Sequence, residues 1–142
     1  MKKVLLLLVV ILAAASLGVD LAPSDSAEAT RLRLGNELLM DRYHYLIEGK
    51  KVGLVTNQSG VDSRGRSLID ILSADKTTTM AALYGPEHGI DGTAAAGAYV
   101  ESYRHEKLGI PVYSLYGQTR MPTAGMLQDI DVLVFDIQDI GA

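Results

Sequence analysis

Cysteine is absent from the chain, which excludes disulfides, thiolate catalysis and cysteine-based metal sites. No lysine–arginine cluster is present either, and the net charge is -4 with an isoelectric point near 5.3. Nucleic acid and anionic membrane surfaces therefore lack the basic face they would need, and neither is expected as a partner. Motifs of several common chemistries are missing too. No Gly-x-Gly-x-x-Gly follows the first strand pattern and no Gly-Lys-[Ser/Thr] occurs, so nucleotide binding of the usual kinds has no anchor. No Gly-x-Ser-x-Gly elbow supports serine hydrolase chemistry. A metal site through His88 with Asp136 or Asp139 would rest on one histidine without a second ligand at helical spacing, so no metal or cofactor is expected.

What is present reads as one domain with a core: 142 residues, 48% hydrophobic and 21% charged. Met1-Lys2-Lys3 is a short positive start, and Val4 to Leu17 is apolar and ends in small residues. That pattern is a secretory signal peptide, too short for the roughly 20 residues of a membrane span; an uncleaved anchor is the alternative. Ala13-Ala14-Ala15 and Ala27-Glu28-Ala29 both fit the cleavage rule, and Asp20 to Thr30 reads as a flexible leader. Residues 1–29 are thus expected to be signal and leader, and the mature chain to be exported to a periplasmic or extracellular location.

The mature part has an orderly rhythm. Leu34, Leu38, Leu39, Leu46 and Ile47 recur at helical spacing up to Gly49, predicting one amphipathic helix with a glycine cap. "KVGLVT", Lys51 to Thr56, reads as a strand; Ser67 is placed to cap a helix over Leu68, Ile69, Ile71 and Leu72. "TMAALYG" reads as a second strand, "IPVYSLYG" as a third, "PTAGMLQDI" as a helix opened by Pro122, and "DVLVFDIQD" as a fourth strand. Apolar strands alternating with helices predict an α/β, Rossmann-like fold, mostly parallel, with helices on both faces of the sheet.

Ligands of open parallel sheets bind beyond the carboxyl ends of the strands, and each predicted strand here ends in polar residues. Asn57 and Gln58 follow the first, Glu87-His88 the second, Tyr116, Gln118 and Arg120 the third, and Asp136, Gln138 and Asp139 the fourth. Asn57 serves equally as a turn former, since asparagine tolerates left-handed geometry. In "GPEHG" a proline and two glycines set out an acid and an imidazole in a way that suits function more than packing. Asp136 and Asp139 must be solvated, paired or bound to something. Arg120 also reads as a surface charge, Asp129 and Asp131 as end caps, and His44 and His105 as structural or exposed. Carboxylates with amide and arginine donors suit acid–base work on a polar substrate, glycoside hydrolysis included.

"GKKVGLVTNQSGVDSRGRSLIDIL", "ALYGPEHGI", "PVYSLYGQTRMPT" and "DVLVFDIQDIGA" resemble, in order and spacing, the amino-terminal region of the NamZ-type exo-β-N-acetylmuramidases. The resemblance covers Gly35 to Ala142 and implies a Rossmann-like catalytic domain over residues 30–142. It also implies removal of terminal N-acetylmuramic acid from the non-reducing ends of peptidoglycan fragments. Glu87 falls on the family's proposed catalytic glutamate. Glu87 is expected to be the general acid, because a carboxyl partly desolvated beside an aromatic and a proline can hold its proton near neutral pH. On chemical grounds His88 would orient Glu87 or a sugar hydroxyl and Asn57 would contact substrate. Asp136, Gln138 or Asp139 would position water or the ring, and Arg120 would bind the lactyl carboxylate. The family's members are more than twice as long and carry a second domain, so the chain reads as an amino-terminal fragment or as the product of a gene that ends early. Asp91 stands where a basic or aromatic residue is usual. The competing reading is a secreted module that binds cell-wall sugars or muropeptides without cleaving them.

Overall fold

The structure, a computed structural model, describes residues 32–138; the predicted signal peptide, the leader and Asp139 lie outside the described residues. The first helix, α1, spans Gly35–Asp41, and a 3-10 turn covers His44–Leu46. There follow β1 (Lys51–Thr56), α2 (Leu68–Ala74), β2 (Thr79–Gly85), β3 (Tyr103–Arg104), β4 (Pro111–Ser114), α3 (Ala124–Leu127) and β5 (Val132–Asp136). The five strands form one sheet in the order β3-β4-β2-β1-β5. Every pairing is parallel except β3 with β4. The fold is α/β with a mostly parallel sheet, as the alternation of apolar strands and helices predicts.

β1 shows why the sequence chooses this architecture. From Val52 to Thr56 it is buried without interruption, which suits a central strand covered on both faces. Val52 and Leu54 point to one face, where Leu83, Val112, Ile47, and Leu68 and Leu72 of α2 close around them. Val55 points to the other, with Ala82 and Tyr84 against Tyr113, Met126 and Leu127. The Tyr84 hydroxyl donates to the Met126 carbonyl at 2.6 Å, so α3 is fixed by a hydrogen bond as well as by packing. Side chains such as Leu54, Leu68 and Leu83 are fully buried. Each contributes about 1.5–3 kcal/mol relative to an exposed position.

The elements differ from the sequence reading in several places, and α3 and β5 are shorter than predicted, ending at Leu127 and Asp136. The single helix predicted to run to Gly49 is α1 plus the 3-10 turn, because Arg42 N–H and Tyr43 N–H both donate to the Leu38 carbonyl and the chain then turns. His44 Nε2 lies 2.5 Å from Asp75 Oδ2, tying that turn to the end of α2. The third strand stops at Ser114, whose hydroxyl accepts from Tyr116 N–H at 3.1 Å and bends the chain. Thr123, rather than Pro122, starts α3, its Oγ1 accepting from Met126 N–H at 3.3 Å. The two-residue β3 carries no apolar alternation and was not legible. Cover of the sheet is uneven: Leu133 and Phe135 on edge strand β5 are 45% and 69% exposed. Among the described residues no helix is long and apolar enough to cross a membrane.

Candidate active site

The register brings the strand ends into line. Thr56 stands opposite Asp136, and Gly85 opposite Ser114, so the loops after β1, β2, β4 and β5 leave the sheet along one rim. Two polar clusters form there.

The first is built on "GPEHG". Pro86 O accepts from Gly89 N–H at 3.0 Å, closing a turn in which His88 takes a left-handed φ of 72°. A side-chain-bearing residue is strained in that region by roughly 1–2 kcal/mol. The strain is held by the histidine's own bonds: its ring Nδ1 lies 2.6 Å from the Ala94 carbonyl, and its carbonyl accepts from Ala94 N–H at 3.2 Å. A carbonyl only accepts, so Nδ1 carries the proton, and in the neutral ring Nε2 is left as the acceptor. That tautomer suits a group that handles a proton.

Glu87 is half-buried, and its Oε1 accepts from Gly97 N–H at 2.9 Å. This backbone donor holds the carboxyl below the usual glutamate range against a smaller desolvation effect, with help from the Tyr116 hydroxyl and the His88 and Arg120 charges. The direction runs against the proton-holding carboxyl expected of a general acid, because Gly97 N–H favours the carboxylate form. Arg120 sits over the Tyr116 ring, its guanidinium carbon 3.6 Å from the centroid, and is otherwise exposed. Arginine, tyrosine, imidazole and carboxylate thus share one patch.

The second cluster lies across β1. Asn57 Oδ1 accepts from Ser59 N–H at 2.9 Å and from Ser59 Oγ at 2.6 Å, so the turn-forming role is the one its oxygen performs. Ser59 Oγ in turn accepts from Gln138 N–H at 2.9 Å, placing Gln138 by its backbone while its side chain stays exposed. Asp136 Oδ2 accepts from Asn36 Nδ2 at 3.0 Å, and the Asp136 carbonyl from Thr56 Oγ1 at 2.9 Å. A Cβ on Gly60 would come within 2.1 Å of Thr56 Oγ1 and 2.8 Å of the Asp136 carbonyl, so only glycine lets the loop close there. The two clusters are linked at Gly92, where a Cβ would sit 2.4 Å from the Gln58 amide carbon.

Asn36 escaped the sequence reading. It lies in the first turn of α1, 5% exposed, and its amide nitrogen also donates to the Val61 carbonyl at 3.0 Å. Its Oδ1 is buried with no partner. Nothing local marks it, because its partner Asp136 is 100 residues away in sequence. Of the predicted site residues, Glu87, His88 and Arg120 are together in one cluster and Asn57, Asp136 and Gln138 in the other. Asp139 lies outside the described residues.

Comparison with known proteins gives this rim its context. A family described as "Exo-beta-N-acetylmuramidase NamZ, N-terminal" matches residues 52–142. "Peptidoglycan beta-N-acetylmuramidase NamZ" of Bacillus subtilis (strain 168) is 44% identical over 128 residues, covering 90% of this chain and 31% of that protein. The crystal structure of a DUF1343 family protein from Bacteroides fragilis NCTC 9343 is 50% identical with a TM-score of 0.67, covering 77% of this chain and 27% of that one. A second DUF1343 protein from the same organism is 27% identical with a TM-score of 0.57, covering 77% and 26%. The chain spans less than a third of the length of each of these relatives. With the family matched from Val52 to the last residue, this chain belongs to the NamZ exo-β-N-acetylmuramidase family, in the part that forms its amino-terminal region.

Proposed function

We propose that the chain carries the catalytic rim of an exo-acting glycosidase that removes terminal β-N-acetylmuramic acid from the non-reducing ends of peptidoglycan fragments, in cell-wall turnover. The observation that carries this reading is the pairing of Glu87, bonded to Gly97 N–H, with a His88 whose tautomer is set by Ala94, beside Arg120. The peptidoglycan activity named for the Bacillus subtilis relative supports it.

Each residue has a role consistent with its geometry. The Glu87 carboxylate stabilises positive charge at the anomeric carbon, the charge that develops in an oxocarbenium-like transition state. His88 Nε2 is the atom that gives or takes the proton. Arg120, braced by Tyr116, pairs with the lactyl carboxylate that distinguishes muramic acid from glucosamine. Asp136, held by Asn36, and Gln138 sit across β1 and bind ring hydroxyls or water. For Glu87 to serve as the acid instead, a bound sugar would have to displace Gly97 N–H and strengthen the desolvation that already opposes the ionised form.

The chemistry belongs outside the cytoplasm in this reading, supported by the Met1 to Leu17 pattern; amino-terminal sequencing of the exported protein tests it. Activity is tested by chromophore release from an aryl β-N-acetylmuramide, beside Glu87→Gln and an aryl β-N-acetylglucosaminide control. Muramide-selective release that disappears in Glu87→Gln is expected. A non-catalytic sugar-binding module would instead release nothing and bind the muramide equally well with glutamate or glutamine at this position.

A further inference from the structure

The loop that follows β2 contains a short segment held in place by Glu87 and His88 themselves. From Thr93 to Gly97 no side chain is larger than threonine, and all of it except Ala94 is exposed, so burial of apolar surface does little to pin it. Among the described residues its hydrogen bonds to the body of the protein run to those two neighbours. Gly97 N–H donates to Glu87 Oε1 at 2.9 Å, Ala94 N–H donates to the His88 carbonyl at 3.2 Å, and the Ala94 carbonyl accepts from His88 Nδ1 at 2.6 Å. The bond from Ala98 N–H to the Ala95 carbonyl at 3.0 Å stays within the loop. Both ends are built to turn, since Gly92 and Gly97 take φ of 68° and 73°, where glycine is unstrained. The flanks are anchored. Gly92 lies against the Gln58 side chain, and Val100 N–H donates to the Tyr116 carbonyl at 3.3 Å. Such a segment can open without disturbing the sheet.

What holds the segment depends on charge. A hydrogen bond from a backbone N–H to a carboxylate is roughly twice as strong as one to a neutral acceptor. The Gly97 bond is the largest of the effects that keep the Glu87 carboxyl low, and the titratable and charged groups that face it, Tyr116, His88 and Arg120, act in the same direction. The closed segment and the carboxylate therefore support each other. The coupling is reciprocal: opening removes the Gly97 donor and favours the protonated carboxyl, and protonation removes the charge that keeps the segment closed. A hydroxyl that donates to Glu87 Oε1 competes with Gly97 N–H for the same oxygen.

We propose that residues 93–97 form a strap latched by Glu87, closed while Glu87 is a carboxylate and released when a proton or a sugar hydroxyl takes the oxygen that Gly97 N–H occupies. The identity of the sugar rests on the glycosidase reading; the latch does not, and its test needs no turnover. Amide hydrogen exchange is followed by NMR in the parent chain and in Glu87→Gln, with rates corrected for pH and neighbouring residues and circular dichroism as the folding control. Glutamine keeps the size and an acceptor oxygen and removes the charge. Protection of Gly97 N–H and Ala94 N–H is expected to fall together by about tenfold, while Gly89 N–H and Val100 N–H on either side stay within about twofold. Ala94 decides the matter, because its partner is His88 and an isolated bond to Glu87 would leave it unchanged. In the parent the same two amides should lose protection together as pH falls through the Glu87 titration, which tests the latch without any substitution. Loss at Gly97 alone, equal loss at Gly89 and Val100, no change at either strap amide, or no protection of either in the parent would each overturn the strap. Failure of the glycosidase reading shows separately, as absence of aryl muramide hydrolysis by the parent chain.

Discussion

Two histidines, one at each end of the sheet, are held in contrasting ways. His44 stands at the amino-terminal end with Nε2 against the Asp75 carboxylate, and Thr77 donates its hydroxyl and its N–H to the other oxygen of that carboxylate. His88 stands at the carboxyl-terminal rim on a strained backbone, bonded to a main-chain carbonyl through Nδ1. In the first case the polar groups satisfy each other, and the product is stability. In the second a bond is spent on orientation and a reactive atom is left without a protein partner among the described residues. An imidazole beside an acid is thus no sign of chemistry by itself; what matters is whether the acid and the ring consume each other.

The contrast breaks most sharply in activity. Glu87→Gln should lower kcat on an aryl muramide by roughly 100-fold or more, while Asp75→Asn should change it less than about twofold. The pH profile sharpens the comparison. If Glu87 works as a carboxylate, the acidic limb of kcat/KM assigned to it lies below the ordinary glutamate value of 4.5, because Gly97 N–H holds its pKa down. A limb in which activity falls as pH rises through a Glu87 titration would instead make it the acid.

Stability should show the reverse order. Asp75 is held at a pKa of about 2, principally by its hydrogen bond to His44, against an unperturbed value of 3.8. A carboxyl whose folded pKa is lowered contributes stability that is complete above its unfolded value and disappears as pH falls toward the folded one. The shift is worth about 2 kcal/mol at pH 7. Urea melts of Asp75→Asn should show that deficit at neutral pH, and the gap to the parent should close between about pH 5 and pH 2. A gap that persists at the lowest pH would remove the electrostatic origin of the contribution.

These pairings also show what was legible beforehand. β1 and β2 were readable to the residue because "KVGLVT" and "TMAALYG" are apolar runs bounded by turn formers, and the Ser67 cap because it is a local rule with a local signature. The 3-10 turn after the first helix is tied down by His44 meeting Asp75, 31 positions away, and no periodicity reports that. At the rim the sequence placed Glu87 and His88 on a loop after a strand, which the parallel topology turned into a shared edge. It could not reveal that Gly97 N–H would lower the Glu87 pKa, since the partner is a backbone group supplied by a fold in another loop. Asp136 was readable as an acid needing a partner, but the partner, Asn36, comes from the far end of the described chain.

That pair gives a smaller effect to test. Asn36→Ala removes the donor to Asp136 and to the Val61 carbonyl, leaving buried acceptors unsatisfied at a cost of about 1–3 kcal/mol. Thermal denaturation should register it. If Asp136 binds substrate from the position Asn36 sets, KM should rise more than kcat falls, and an Asn36→Gln variant should not recover the parent value, because the longer side chain cannot keep the 3.0 Å contact.

The smallest expected change in stability tests the strain at His88. Replacing it by glycine relieves a left-handed conformation that costs a side-chain-bearing residue roughly 1–2 kcal/mol. It also removes the 2.6 Å bond to Ala94, worth about 1 kcal/mol, and adds chain entropy to the unfolded state. These terms nearly offset, so His88→Gly should melt within about 1 kcal/mol of the parent while losing most of its turnover. Alanine at the same position keeps the strain and loses the bond, so it should be the less stable of the two. Equal stability of the alanine and glycine variants would mean that the strain relieved is no larger than the chain entropy glycine adds. A loss of stability in both well beyond the hydrogen bond would make His88 a structural residue like His44, and the contrast between the two ends of the sheet would fall.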